Sequence, residues 1–163
     1  MKTVLQLIPY DTVAGVETAA RSVPARWGGI RFLRAYLVRK SPVQVLPEDW
    51  HGPEVSENAP RAHWQLLRFA WKVRPDLVIG SLWRCCPTMI TLQMLRPQMK
   101  SVLFLHLARD MHPPDWLLNR IAMWRATEIW ADSAASLDVR VPARWPHKAR
   151  VLSSMTAPPP PTP

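Results

Sequence analysis

The chain has 163 residues, 48 % of them hydrophobic and 20 % charged, which is the composition of a globular domain and excludes a disordered chain. Lys and Arg total 21 against 12 Asp and Glu, a net charge of +9, so phosphate-bearing ligands are attracted: nucleotide diphosphates, anionic lipid headgroups or nucleic acid. Cys85 and Cys86 are the only cysteines and are adjacent, which excludes a disulfide framework and a zinc site; they are expected to pack as thiols in a reducing compartment. No stretch reaches the ~18–20 apolar residues of a membrane-spanning helix. Gln6, Pro9 and Asp11 interrupt the first apolar run too early for a signal-peptide core. A cytoplasmic protein is expected, either soluble or peripheral at the inner face of the membrane.

The first element is a buried strand over Lys2–Pro9, stopped by Pro9 and Asp11. Gly15 opens a helix whose Val16, Ala19, Ala20 and Val23 share one face, with Pro24 ending it. Ile30–Val38 reads as a second strand. Residues 41–60, with four prolines, read as loop, with Val43–Leu46 extended. Ala62–Val73 is a helix, on which Trp64 and Trp71 are expected at the helix–sheet interface. The strand Leu77–Ser81, the apolar helix Pro87–Leu95 and the strand Ser101–His106 follow. Pro113 and Pro114 then open a helix over Asp115–Ala126, where a first turn tolerates proline. The strand Glu128–Ser133, the short helix Ala134–Val141 and the strand Arg150–Ser153 complete the pattern. One domain is expected over 1–156, with a proline-rich extended tail over 157–163.

Strand and helix alternate throughout, and the strands lack in–out alternation. That combination predicts an α/β, Rossmann-like three-layer sandwich with a mostly parallel sheet covered on both faces. Ligands on such sheets bind beyond the carboxyl ends of the strands. The residues that matter most are then Tyr10–Glu17, Ser81–Arg84, His106–His112 and Ser133–Ser136. In the first of these loops Gly15 lets a ligand approach the backbone, and the helix start offers N–H groups to an anion. The loop is neither GxGxxG nor a P-loop, so no NAD, FAD or other cofactor is expected.

The strand-end segments resemble, in order, those of family-4-type retaining glycosyltransferases of GT-B architecture. Ala14-Gly15-Val16-Glu17 is similar to their Gly-Gly-x-Glu loop, with alanine at the first glycine. Arg74-Pro-Asp-Leu-Val-Ile-Gly-Ser-Leu-Trp-Arg84 is similar to a strand segment that often carries histidine where Gly80 and Ser81 stand here. Ser101–Leu107 resembles the next strand, with His106 at its terminal histidine. Ile129–Ser136 resembles the strand and helix start that carry a serine, here Ser133. Val151–Thr156 lies where the family crosses to its second domain, without the family's Asn-Gly.

The resemblance implies the N-terminal half of a GT-B enzyme, holding mainly the acceptor. The nucleotide-sugar donor would be held mainly by a C-terminal domain through a Glu-x7-Glu segment and an Arg/Lys pair. This chain is therefore expected to be an incomplete catalyst by itself. His106 would contact the transferring sugar or its leaving group as the catalytic residue. Gly15, Val16, Glu17, Ser81, Arg84, Arg109 and Ser133 would contact acceptor or donor. Several have a plainer alternative: an ordinary turn into a helix at Gly15, a packed histidine at His106, solvated arginines at Arg84 and Arg109, a first-turn acid at Glu17 and a helix cap at Ser133.

His106 and His112 lack a third ligand, so no metal is expected. Trp116, Arg120 and Trp124 recur on one helix face, a spacing compatible with core packing and with contact to an anionic membrane. The acceptor class is a glycan or a lipid-linked glycan. No RNA- or DNA-binding signature occurs, so nucleic acid is not an expected partner. A non-catalytic basic module binding anionic ligands is the competing reading.

Overall fold

The structure is a computed structural model and describes residues 1–12, 14–40, 47–106 and 112–152. Strands β1 (Lys2–Tyr10), β2 (Arg26–Trp27), β3 (Ile30–Val38), β4 (Trp50–His51), β5 (Leu77–Ser81), β6 (Lys100–Leu105), β7 (Glu128–Ala131) and β8 (Ala149–Val151) form one sheet. Helices α1 (Gly15–Ser22), α2 (Pro60–Val73), α3 (Cys86–Leu95), α4 (Pro113–Arg125) and α5 (Ala134–Arg140) connect them. The order runs β3-β1-β5-β6-β7-β8, and every pairing is parallel except the β2–β3 hairpin. The expected α/β, Rossmann-like sandwich with a mostly parallel sheet is the fold observed. The expected extension at 43–46, Arg109, the end of the last strand at Ser153 and the tail at 157–163 fall outside the described residues.

Right-handed crossovers dictate the layers. The chain moves one way from β1 to β3 and the other way from β5 to β8. Helix α1 therefore lies on one face, where Ala20 and Val16 pack on Ile8 and Tyr36. Helices α2 to α5 cover the opposite face, over a core that includes Leu5, Leu33, Leu66, Met89, Leu103 and Ile129. Cys85 and Cys86 are buried and unbridged in that core, as expected of packing thiols.

Three differences from the sequence reading have local causes. Pro9 does not stop β1. By that point β1 has passed its last pair with β5, Leu7–Gly80, and β3 still pairs with it as far as Tyr10–Val38, so the strand continues on one neighbour. The hairpin Arg26–Trp27 is an added element, closed by Gly28 and Gly29 at positive φ. Trp64 and Trp71 are not at the helix–sheet interface. Ala62, Leu66 and Ala70 form the buried row of α2, and both tryptophans face solvent.

Candidate functional site

The sheet reverses its winding direction between β1 and β5, and ligands on such sheets occupy the crevice beyond the strand ends at that point. Four pieces border it: residues 11–12 after β1, the start of α1, residues 82–85 after β5, and His106 after β6. Gly15 begins α1 with open space where a side chain would stand, so its backbone can be approached closely. Glu17 is buried on the first turn of α1, and that burial raises its carboxyl above the ordinary range, against the pull of Arg21 and Thr12. Ser81, at the end of β5, is fully buried and accepts a 2.9 Å hydrogen bond from Gln6 Nε2.

Arg84 reaches Glu57 at 3.3 Å and donates to Asn58 Oδ1 at 2.9 Å, with its guanidinium over the Trp83 ring. Glu57 also pairs with Lys40 at 3.2 Å and accepts from the Tyr10 hydroxyl at 3.1 Å. Burial pushes the Tyr10 phenol up to about 12, so it acts as a donor at neutral pH. Arg21 donates to the carbonyls of Asp11 and Thr12. The described cations at this edge are thus already held by acid or carbonyl partners. That suits neutral, hydroxyl-bearing ligands better than a free diphosphate.

His106 packs its ring on Phe104, with centroids 4.0 Å apart. Burial lowers its pKa to about 4, opposed by Asp132, and its buried Nε2 has no hydrogen-bond partner among the described residues. It stands at one end of an apolar cavity of about 530 Å³ shared with Val16, Phe32, Ile79 and Trp130. Among the described residues, no Asp, Glu, Lys or Arg side chain lines that cavity. The folded state keeps His106 neutral whereas the unfolded chain protonates near 6.5, so its contribution is complete above pH ~6.5. It is lost as pH falls from there toward 4. Replacing His106 with Gln is expected to flatten the acid side of the stability–pH curve, measured by urea unfolding. An unchanged acid slope in the variant would contradict the burial argument. His63, also lowered by burial, adds a slope of the same sign that the variant retains.

Ser133 caps α5: its Oγ accepts from the Ser136 N–H at 3.2 Å and donates to Ser136 Oγ, which donates to Asp132. The cap uses the proton of that hydroxyl and one of its two lone pairs. Ser133→Ala is expected to cost about 1 kcal/mol in chemical denaturation. Val16 and His106 share one cavity and Asp132 acts electrostatically on His106, while Arg84 belongs to the Glu57 cluster. Arg109 lies outside the described residues. No His, Cys, Asp and Glu group among the described residues has the makings of a metal site.

Sequence reasoning missed an acid–imidazole pair. Asp11, fully buried just after β1, places Oδ2 3.1 Å from His51 Nδ1 and accepts from the Lys40 N–H at 2.8 Å. The His51 ring stacks on Tyr36, and its buried Nε2 has no hydrogen-bond partner among the described residues. The 40-residue separation of the pair left no local pattern to read.

No protein-family model matches this sequence, and no curated protein is significantly similar to it. Solved structures do match. Anabaena HepE in complex with UDP aligns over 94 % of this chain and 44 % of its own, at 15 % identity and a TM-score of 0.64. The UDP-N-acetylglucosamine 2-epimerase of Rickettsia bellii aligns over 93 % and 44 %, at 11 % identity and a TM-score of 0.61. The lipopolysaccharide outer core galactosyltransferase WaaB aligns over 93 % and 45 %, at 14 % identity and a TM-score of 0.59. The chain spans less than half the length of these structures. At such identities the likeness is one of fold, and by fold this chain is a Rossmann-like α/β unit of the kind that makes up half of a GT-B architecture.

Proposed function

We propose that residues 1–156 are the acceptor-side domain of a glycosyltransferase. It would move a sugar from a nucleotide-sugar to a glycan or lipid-linked acceptor, together with a second, nucleotide-sugar-binding domain. The observation that carries this reading is the switch-point crevice. It brings Gly15, Glu17, Ser81 and the His106 strand end to one edge of a fold whose neighbours include UDP-bound proteins and a galactosyltransferase. In this reading buried, neutral His106 faces the reacting sugar through Nε2, which has no partner among the described residues. Gly15 and Val16 offer backbone close to the ligand, and Glu17, Ser81 and Arg84 hold acceptor hydroxyls. Ser133, through the lone pair its cap leaves over, and Arg109 are further contacts to acceptor or donor in this reading.

The neighbours include epimerases as well as transferases, so fold alone does not choose the reaction. The ordered strand-end segments favour transfer. The test is incubation of this chain with labelled nucleotide-sugars and candidate acceptors, alone and with a GT-B C-terminal domain supplied in trans. Transfer is expected only in the second case. Robust turnover by the chain alone would overturn the need for a second domain, and epimerised sugar as the sole product would overturn transfer. The +9 charge favours a second reading, a non-catalytic module for anionic ligands, which is met if anions bind and no chemistry follows in either case.

A further inference from the structure

Five tryptophans stand exposed in this fold, which ordinary packing does not require. Trp64 and Trp71 lie on α2, Trp116 and Trp124 on α4, and Trp27 alone on the hairpin beside the α1 face. On α2, after its first residue Pro60, the exposed positions are Arg61, Trp64, Arg68, Trp71 and Lys72, a stripe of helical spacing opposite the buried row Ala62, Leu66 and Ala70. Trp64 is 59 % exposed, so this stripe is the solvent face and not an interface within the fold. On α4, Leu117 accompanies the two tryptophans, and the Arg120 and Arg125 guanidinium groups lie over the Trp116 and Trp124 rings. Both helices flank α3 in the layer that covers one face of the sheet, and α3 ends in exposed Met94 and Leu95.

We propose that this helical layer is a docking surface for an anionic lipid bilayer, with α2 and α4 lying in the headgroup region. The argument is the chemistry of the stripes. Indole rings partition to the bilayer interface, where an apolar body and an N–H are both satisfied. Arginine and lysine interleaved with them meet lipid phosphates, and no acidic residue falls within the exposed α2 stripe. Exposed Leu117, Met94 and Leu95 fit acyl chains and have nothing to gain from stacked bases, which sets nucleic acid second. No described helix is long and apolar enough to cross the membrane, so contact would be in plane. The inference extends the expectation drawn from α4 to a larger surface and does not depend on the transferase reading, because its test measures no catalysis.

The experiment is flotation of the full chain with phosphatidylcholine vesicles, with and without phosphatidylglycerol, combined with tryptophan quenching by brominated lipid. Partitioning is expected to be at least about tenfold stronger on the anionic vesicles, to weaken with salt, and to be accompanied by quenching. Trp64→Ala with Trp71→Ala, and separately Arg61→Gln with Arg68→Gln, are each expected to lower it about tenfold. Trp27→Ala is expected to leave it unchanged. The glutamine pair keeps the test valid if the alanine pair perturbs the helix. Equal binding to neutral vesicles, absence of binding, an equal loss with Trp27→Ala, or full retention by both double variants would overturn the proposal. A stronger, salt-sensitive affinity for a DNA or RNA oligonucleotide would overturn it in favour of nucleic acid.

Discussion

Asp49→Ala is expected to destabilise the chain by about 3–5 kcal/mol, the usual cost of breaking one side of a buried ion pair. Arg34 and Asp49 are each 1 % exposed, with Arg34 Nε 2.7 Å from Asp49 Oδ1. Arg34 Nη1 also donates to the carbonyls of Ala20 and Val23, at the end of α1, and the Tyr36 hydroxyl donates to Asp49 Oδ2. Removing the carboxylate leaves a guanidinium in the interior with carbonyl partners only. Arg34→Met combined with Asp49→Leu is expected to be less damaging than Asp49→Ala, because no charge stays buried, although the two carbonyls lose their donor. Urea unfolding at constant m-value reads both effects. A cost near zero for Asp49→Ala would mean that water reaches Arg34. The pair matters to the site because it ties β3, the end of α1 and the segment before β4 together, and these border the Asp11–His51 pair.

The strands most legible in the sequence were those buried on both faces. Leu77–Ser81 has the same bounds in the sequence reading and in the fold, because a continuous apolar run between punctuating residues leaves little choice of ends; Ile30–Val38 also has the same bounds, although Arg31 and Arg34 interrupt its apolar pattern. The carboxyl-edge location of the candidate residues followed from that alternation alone. The two-residue strands were not legible in the same way. The signal for β2 was present, a Gly-Gly pair between Trp27 and Ile30, but two residues carry no periodicity. The existence of β4 depends wholly on its pairing with β3, Trp50 with Ala35 and His51 with Tyr36, far outside any local pattern.

The polar pairs were hidden for the same reason. Asp11 with His51, and Arg34 with Asp49, join loop and strand residues that only the sheet order brings together. Trp64 and Trp71 were misplaced on a different ground. Aromatic side chains at helical spacing read as core, yet the small residues Ala62 and Ala70 make the close approach to the sheet and leave the large ones outside. Arg61, Arg68 and Lys72 share the outer face with the tryptophans, so charge decided which face of α2 turned outward.

Gly52→Ala is expected to cost about 3 kcal/mol, at the upper end for overpacking, because the clash is with backbone. A Cβ at Gly52 would stand 1.9 Å from the carbonyl oxygen of Leu37 and 2.6 Å from its carbon, neither of which can rotate away. The glycine N–H also donates to the Tyr36 carbonyl at 2.9 Å, so relief requires that β4 peel from β3. His51 then leaves both the Tyr36 ring and Asp11. The loss should appear as a melting temperature lowered by about 6–12 °C for a chain of this size, together with a changed aromatic signal in near-ultraviolet circular dichroism. Gly15→Ala is the matched control: nothing lies within 4 Å of its Cβ position and its φ is ordinary, so the fold should tolerate it. A similar loss from both substitutions would defeat the geometric argument. If Gly15→Ala keeps full stability yet abolishes transfer in the two-domain assay, the open space before α1 is ligand space, and the switch-point crevice is the acceptor site.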